Sequence, residues 1–237
     1  MSDRSHNELI AAIQAFIDTS QSRRCPVIEW QRILSWINWG LNTYPLVHPA
    51  LQPAYTKIVG KHISRAQVFL NRSVIHNFLW LADMIKASEG VHILESIEWD
   101  HSDADLIVYS DVSLTGLGFV VPTQRLGFHA STPSDCPSPT IFYYEALAIT
   151  SAILWVSGLS PRVKKLLIYM DSLNCIEMFN TLSTQEGYND ILLFTVHILI
   201  SSNISLCMFH IAGHDNTIMD ALSHHLPTAA IAFLPRL

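Results

Sequence analysis

Two segments of this chain are spelled almost alike: LIVYSD, ending at Asp111, and LLIYMD, ending at Asp171. Each is a short run that is apolar on both faces, as a central strand covered by helices must be, and each finishes in a carboxylate at its C-terminal end. If the two strands are parallel neighbours, about 4.8 Å apart, those carboxylates lie side by side. At an effective dielectric near 20, two negative charges ~5 Å apart repel by about 3 kcal/mol, so the pair requires a cation or a shared proton. For either Asp taken alone, capping of the following helix accounts for the residue equally well.

The surroundings of these runs alternate between strand and helix periods. After LIVYSD, the stretch LTGLGFVVPTQRLGFHAS reads as two strands joined by a Pro-containing turn, and TIFYYEALAITSAILWVSGL as a long helix. VKKLLIYMD is the fourth strand, SLNCIEMFNTL and YNDILLFTVHILISSN are helical, ISLCMFHIAG is the fifth strand, and DNTIMDALSHH is a final helix. The expected architecture for residues 100–237 is an α/β domain with a mixed five-stranded sheet flanked by helices. Residues 1–99 have a different texture. Leu9, Ile13, Phe16 and Ile17 share one helical face, as do Trp30, Ile33, Leu34, Ile37 and Leu41, and a third face holds Ile75, Phe78, Ala82 and Ile85, with Asn71 as its cap and Gly90 as its stop. Pro45, Pro49 and Pro53 break the middle of this small helical domain.

Composition removes several function classes. With 237 residues, 49% hydrophobic and 14% charged, the chain can bury a sizeable core, and disorder is excluded. The net charge of −6 argues against a strongly basic nucleic-acid arm or an electrostatic membrane binder. The charge is uneven: residues 1–99 carry nine basic and eight acidic side chains, residues 100–237 five and twelve. Cys25, Cys136, Cys175 and Cys207 form no C-x-x-C pair, which points to a reducing compartment rather than a zinc or disulfide framework. Neither a signal peptide nor a membrane-spanning run is visible, so a soluble intracellular protein, cytoplasmic or nuclear, is expected. The mean hydropathy of +0.27 is high for a free-standing domain and suggests apolar surface that belongs against a neighbour.

Glu145 sharpens the chemistry. It falls among Phe142, Ala146, Ile149, Ile153 and Val156, inside the apolar stripe that should face the sheet. A carboxylate there must be protonated, paired with a buried base or bound to metal, and no Lys or Arg occurs between Arg125 and Arg162. Asp220, in IAGHDNTIMDALSHH, points away from the Ile218, Ala221, Leu222 and His225 face, and periodicity alone makes it a solvated residue.

Here the order of motifs carries the reading. An Asp at a first strand's end, a Glu on the following long helix, an Asp at the fourth strand's end and a G-H-x-N-x-x-x-D segment entering the last helix resemble ribonuclease H over roughly residues 104 to 226. YSDVSLTGLGFVV, the Glu of YYEALAI, YMDS and the D-N-x-x-x-D-A-L-S run look like the ribonuclease H of retroelement reverse-transcriptase polyproteins, including fungal DIRS-like and gypsy-like ones. WINWGLNTYPLVHPALQPAYTKIVGK and NRSVIHNFLWLADMIKASEGVHILESIEWD are similar to the thumb or connection region that precedes it.

The resemblance implies that Asp111, Glu145, Asp171 and Asp220 hold two Mg²⁺ ions, with Mn²⁺ as a substitute, and cleave the RNA strand of an RNA:DNA hybrid. Within it, Asp111 bridges both ions, Asp220 completes the ion that activates water, and Glu145 with Asp171 hold the ion at the leaving oxygen. His214 corresponds to a mobile histidine assisting water entry or product release, although only five residues separate it from Asp220. The chemistry has its own logic: in-line phosphodiester hydrolysis needs a hydroxide at neutral pH and stabilisation of the departing oxygen, and two divalent ions about 4 Å apart supply both. All-oxygen ligands favour Mg²⁺ or Mn²⁺ over zinc.

Further contacts to nucleic acid are read from position. Ser113 and Asn174 follow the two Asp residues and could meet phosphate or 2′-hydroxyl groups; Gly116 allows a backbone or neighbouring strand to come close; Asn216 caps the final helix or orders its loop. Lys61, Arg65 and Arg72 belong to the basic supply of the helical half, which should provide most of the grip on hybrid. YMDS is not the Y-x-D-D of a polymerase palm, because Ser172 replaces the second Asp; polymerase fingers and palm would belong to an upstream partner. The competing reading is a catalytically silent, domesticated module that kept the fold and binds nucleic acid or protein. An integrase or transposase is disfavoured because its last carboxylate is a Glu, where this chain has Asp220.

Overall fold

A computed structural model describes residues 3–18, 24–87, 99–136, 139–184 and 187–213. The chain divides into two compact units, residues 1–97 and 98–237.

In the first unit, helices α1 (Asp3–Asp18), α2 (Val27–Leu41) and α4 (Arg72–Ala87) enclose an apolar core around fully buried Leu9, Ile13, Trp30, Ile37 and Phe78. The Phe16 ring meets Trp30 edge-on at 5.3 Å and Phe78 at 5.9 Å, binding the three helices together. α1 and α2 approach closely at Gly40, where an added Cβ would stand 2.6 Å from Leu9 Cδ2. The cap expected at Asn71 is present: its Oδ1 accepts from the Val74 N–H at 3.0 Å. α4 ends at Ala87, and Gly90 lies outside the described residues.

The proline-rich middle differs from expectation. Rather than interrupting structure, Pro45 and Pro53 open helical turns, a 3-10 segment Pro45–Leu51 and α3 (Gln52–Ile58). The first turn of a helix has no use for the N–H that proline lacks. A two-stranded antiparallel ribbon, β1 (Arg24–Pro26) with β2 (Gln67–Phe69), was not legible. Three residues per strand are too few to show a period.

In the second unit, β3 (Leu106–Val112), β4 (Gly116–Val121), β5 (Leu126–Ser131), β6 (Lys165–Met170) and β7 (Ser205–His210) form one sheet in the order β5-β4-β3-β6-β7. β3, β4 and β5 are antiparallel neighbours, whereas β3, β6 and β7 run parallel. The first strand of the unit therefore sits in the middle. Helices α5 (Ile141–Ser157), α6 (Leu173–Thr181) and α7 (Asn189–Ser202) flank this mixed sheet, a ribonuclease H-like α/β architecture. The helix expected over DNTIMDALSHH lies outside the described residues.

Trp155 of α5 packs on Phe119 at 5.8 Å and Phe128 at 4.9 Å, so α5 covers the sheet face that carries these two rings. α7 docks on α5 through a buried hydroxyl pair, Thr150 Oγ1 to Thr195 Oγ1 at 2.7 Å. At one side of the sheet, the Asn180 side chain takes both backbone groups of Met208: its Nδ2 donates to the carbonyl at 3.0 Å and its Oδ1 accepts from the N–H at 3.2 Å. The described cysteines, Cys25, Cys136, Cys175 and Cys207, are all free. No described helix is long and apolar enough to cross a membrane.

Candidate functional site

The parallel pairing of β3 with β6 decides where the two strand-end acids lie. Leu106, Ile107, Val108 and Tyr109 sit opposite Leu166, Leu167, Ile168 and Tyr169, and the same offset leads from Asp111 to Asp171. Both acids thus stand at the C-terminal ends of neighbouring central strands, Asp111 within β3 and Asp171 one residue past β6. Asp111 is buried and Asp171 exposed. Across from Asp111 on β4 stands Gly118, whose lack of a side chain leaves the carboxylate room.

Glu145 reaches this end of the sheet from α5. The helix starts at the Thr140 cap, whose Oγ1 accepts from the Tyr143 N–H at 3.2 Å, and Glu145 follows one turn later. Its carboxyl is half-buried and titrates above the usual carboxylate range. Burial is the main cause, and the charges of Asp171 and Asp111 add to it, while hydrogen bonds from Ser172 and Cys175 pull the other way. The charges of both aspartates are felt at Glu145, which lies on the helix that starts beside this end of the sheet. Ser172 Oγ donates to Glu145 Oε2 at 2.6 Å.

The arrangement stops short of a preformed chelate. Among the described residues, no three His, Cys, Asp or Glu side chains are grouped so that they could hold a metal ion. Strand alternation gives a reason: Ser110 pairs with Phe119 on the face covered by α5, so Asp111 falls on the other face of the sheet from the helix that carries Glu145. The donor chemistry nevertheless suits a hard divalent cation, since all three groups offer carboxylate oxygens and their mutual repulsion would be relieved by positive charge.

The Ile211 N–H donates to the Met170 carbonyl at 3.0 Å, and Gly213 lies beside Asp171, where an added Cβ would stand 3.7 Å from Oδ2. The chain thus leaves β7 next to the aspartates. His214, Asn216 and Asp220 lie outside the described residues.

Other sequence-based candidates take different places. Ser113 is buried and its hydroxyl is committed to the β3–β4 turn: it accepts from the Gly116 N–H at 3.0 Å and the Thr115 N–H at 3.2 Å, so it is a turn residue rather than one presented to phosphate. The Ser113 N–H donates to the Gly116 carbonyl at 2.7 Å, so Gly116 too serves the hairpin. Asn174 is exposed on α6, which begins two residues after Asp171, and lines a cavity described below. In the first unit Lys61 and Arg65 are exposed on the connector between α3 and β2, and Arg72 is exposed at the start of α4.

Two features escape the sequence reading. One is Ser172, which the sequence offers only as a substitute for a polymerase Asp. The other is an aromatic group one pleat before the acids: Tyr109 and Tyr169 stack at 4.9 Å with an 18° interplanar angle, His101 Nδ1 meets the Tyr169 hydroxyl at 2.6 Å, and the His101 ring lies 4.2 Å from Phe209. The signal for the tyrosines is present in the matching Y-x-D of YSD and YMD.

No protein-family model matches the sequence, and no curated protein matches it. A solved structure of the foamy viral protease-reverse transcriptase dRH in complex with double-stranded DNA is similar over 85% of this chain, at 13% identity and a TM-score of 0.33. The match covers 34% of that protein's chain, so the present chain spans about a third of its length. At that level of likeness the fold is read from this chain's own strand order.

Proposed function

We propose that the chain is a metal-dependent nuclease that hydrolyses the RNA strand of an RNA:DNA hybrid, as the ribonuclease H portion of a retroelement reverse transcriptase. The observation that supports it most is the β3–β6 register, which sets Asp111 and Asp171 at adjacent strand ends with Glu145 within electrostatic reach. Asp111, Glu145 and Asp171, together with Asp220, would hold two Mg²⁺ or Mn²⁺ ions. Such ions supply a hydroxide at neutral pH and a counter-charge for the departing 3′ oxygen.

The protein's own residues set up this chemistry. Asp111, flanked by β4 and β6, offers its carboxylate from a rigid central strand, which fixes the position of whatever it binds. Glu145 is held by the Ser172 hydroxyl. His214 would assist water entry or product release. The 1–99 helical region would act as a thumb or connection domain, with Lys61, Arg65 and Arg72 supplying charge toward the hybrid backbone, and an upstream polymerase palm and fingers would be its partner.

The test is cleavage of a labelled RNA:DNA hybrid in Mg²⁺, Mn²⁺ or EDTA, comparing the parent chain with Asp111→Asn and Glu145→Gln. RNA-strand cleavage that needs the metal and falls at least about a hundredfold in both variants is expected, the scale of losing a transition-state charge stabiliser. Parent activity indifferent to both changes rejects the mechanism. A silent module that binds hybrid without cutting it is the second reading, favoured by the absence of a chelating trio among the described residues; inactivity with retained hybrid binding would select it.

A further inference from the structure

One helical turn from the acids the second unit holds a cavity of about 510 Å³, within the usual range for small-molecule sites. Its lining comes from Phe142 at the start of α5, from Asn174, Glu177, Met178 and Thr181 on α6, and from Ser183, Thr184 and Tyr188 beyond that helix. Phe142 precedes Glu145 by one turn on α5, and Asn174 lies on α6, which begins two residues after Asp171, so the cavity is hung on elements that adjoin the acids. Cys175 Sγ donates to the Phe142 carbonyl at 3.8 Å, joining those elements behind it.

The lining chemistry narrows the guest. Among the described residues the lining contains no Lys, Arg or His and one carboxylate, Glu177, which disfavours a phosphate or any other anion. Phe142 and Tyr188 form an edge-to-face aromatic wall with centroids 4.7 Å apart, and the Tyr188 hydroxyl is held by Thr140 Oγ1 at 3.0 Å. Such a wall suits a flat, uncharged ring. Thr184 Oγ1 is buried and has no hydrogen-bond partner among the described residues, a deficit that a polar guest would remove.

We propose that this cavity is a subsite for a guanine base. A carboxylate accepts two hydrogen bonds side by side, and guanine is the standard base whose Watson–Crick edge offers two adjacent donors, N1–H and the N2 amino group. Adenine and uracil each place an acceptor beside a single donor group. Glu177 reads that edge, the Phe142–Tyr188 wall receives the ring, and Asn174 and Thr184 supply further polar contacts. Placing the guanine in an RNA strand rests on the nuclease reading above; the subsite then gives cleavage a preference for an unpaired or flipped guanine at a fixed step from the scissile phosphate.

Titration of the full metal-free chain with neutral guanosine, inosine and adenosine, followed by NMR or calorimetry, tests the subsite directly. Guanosine should bind at least about tenfold more tightly than inosine, which lacks the N2 amino group, and than adenosine, because a hydrogen bond to a charged group discriminates on that scale. Glu177→Gln, at an exposed position that does not endanger folding, should bring guanosine down to the inosine level. Equal affinities, or a preference that survives Glu177→Gln, would overturn the proposal. Asp111→Asn should keep the guanosine preference. Guanosine selectivity without hybrid cleavage would reject the nuclease reading alone, and metal-dependent cleavage without selectivity would reject the subsite alone.

Discussion

The Ser172 hydroxyl points its proton at Glu145 Oε2 across 2.6 Å, tying the residue after the β6 aspartate to the acid on α5. Burial and two neighbouring aspartates raise the Glu145 pKa, and this contact only partly compensates. A carboxyl whose folded-state pKa is raised favours folding while it is protonated, and that contribution is lost as pH rises through the raised value. Metal-free Glu145→Gln should therefore gain thermal stability over the parent at pH 8 and lose that advantage toward pH 4, measured by calorimetric melting across the range. In a Ser172→Ala background the same Glu145→Gln change should bring a larger gain at pH 8, because the hydroxyl that stabilises the charged carboxylate is gone.

Thr150 and Thr195 close the α5–α7 contact in a buried position, and each hydroxyl also lies 2.8 Å from the carbonyl one turn back, Ala146 and Ile191, so two protons are shared among three contacts. Replacing either by Val deletes the shared bond and leaves the other hydroxyl its own helix carbonyl. Each single variant should cost about 1 kcal/mol, and the double variant less than the sum, with a coupling of ~0.5 kcal/mol or more in a denaturant double-mutant cycle.

Asn71 caps α4 from a partly buried position. Asn71→Ala should destabilise the chain by about 1 kcal/mol, and Asn71→Asp by much less, as read from chemical denaturation midpoints.

Lys61 and Arg65 are exposed on the same connector, and the carbonyls beside Arg65 accept from the start of α2: Ser64 from the Ile28 N–H and Ala66 from the Val27 N–H, both at 3.0 Å. If this connector contacts hybrid, Lys61→Ala and Arg65→Ala should each weaken binding at low salt and each lower the slope of log affinity against log salt by about 1. Unchanged slopes in a fluorescence anisotropy series would remove these two residues from the interface.

The sheet and the strand-end positions of Asp111 and Asp171 were legible because their signals are local and strong. Buried central strands spell continuous apolar runs, and the resemblance of LIVYSD to LLIYMD carried over into a shared register. Glu145 was legible because a carboxylate amid Ala146, Ile149 and Ile153 is conspicuous. What the sequence hid is set by contacts between distant residues. Nothing near Ser172 announces Glu145 twenty-seven positions earlier, and the Ser113 hydroxyl looked available because its turn partners are backbone groups. The Phe142–Tyr188 wall joins α5 to the residue just before α7, and their separation along the chain conceals it.

The Asn180 amide that occupies Met208 has a consequence for growth of the sheet. By imitating the next strand, it blocks annealing of a foreign segment along β7. Among the described residues β5 has β4 on one side and no strand on the other, and it is exposed along nearly its whole length. The edge at β5 is therefore, among the described residues, the one left open for an added strand, away from the acids.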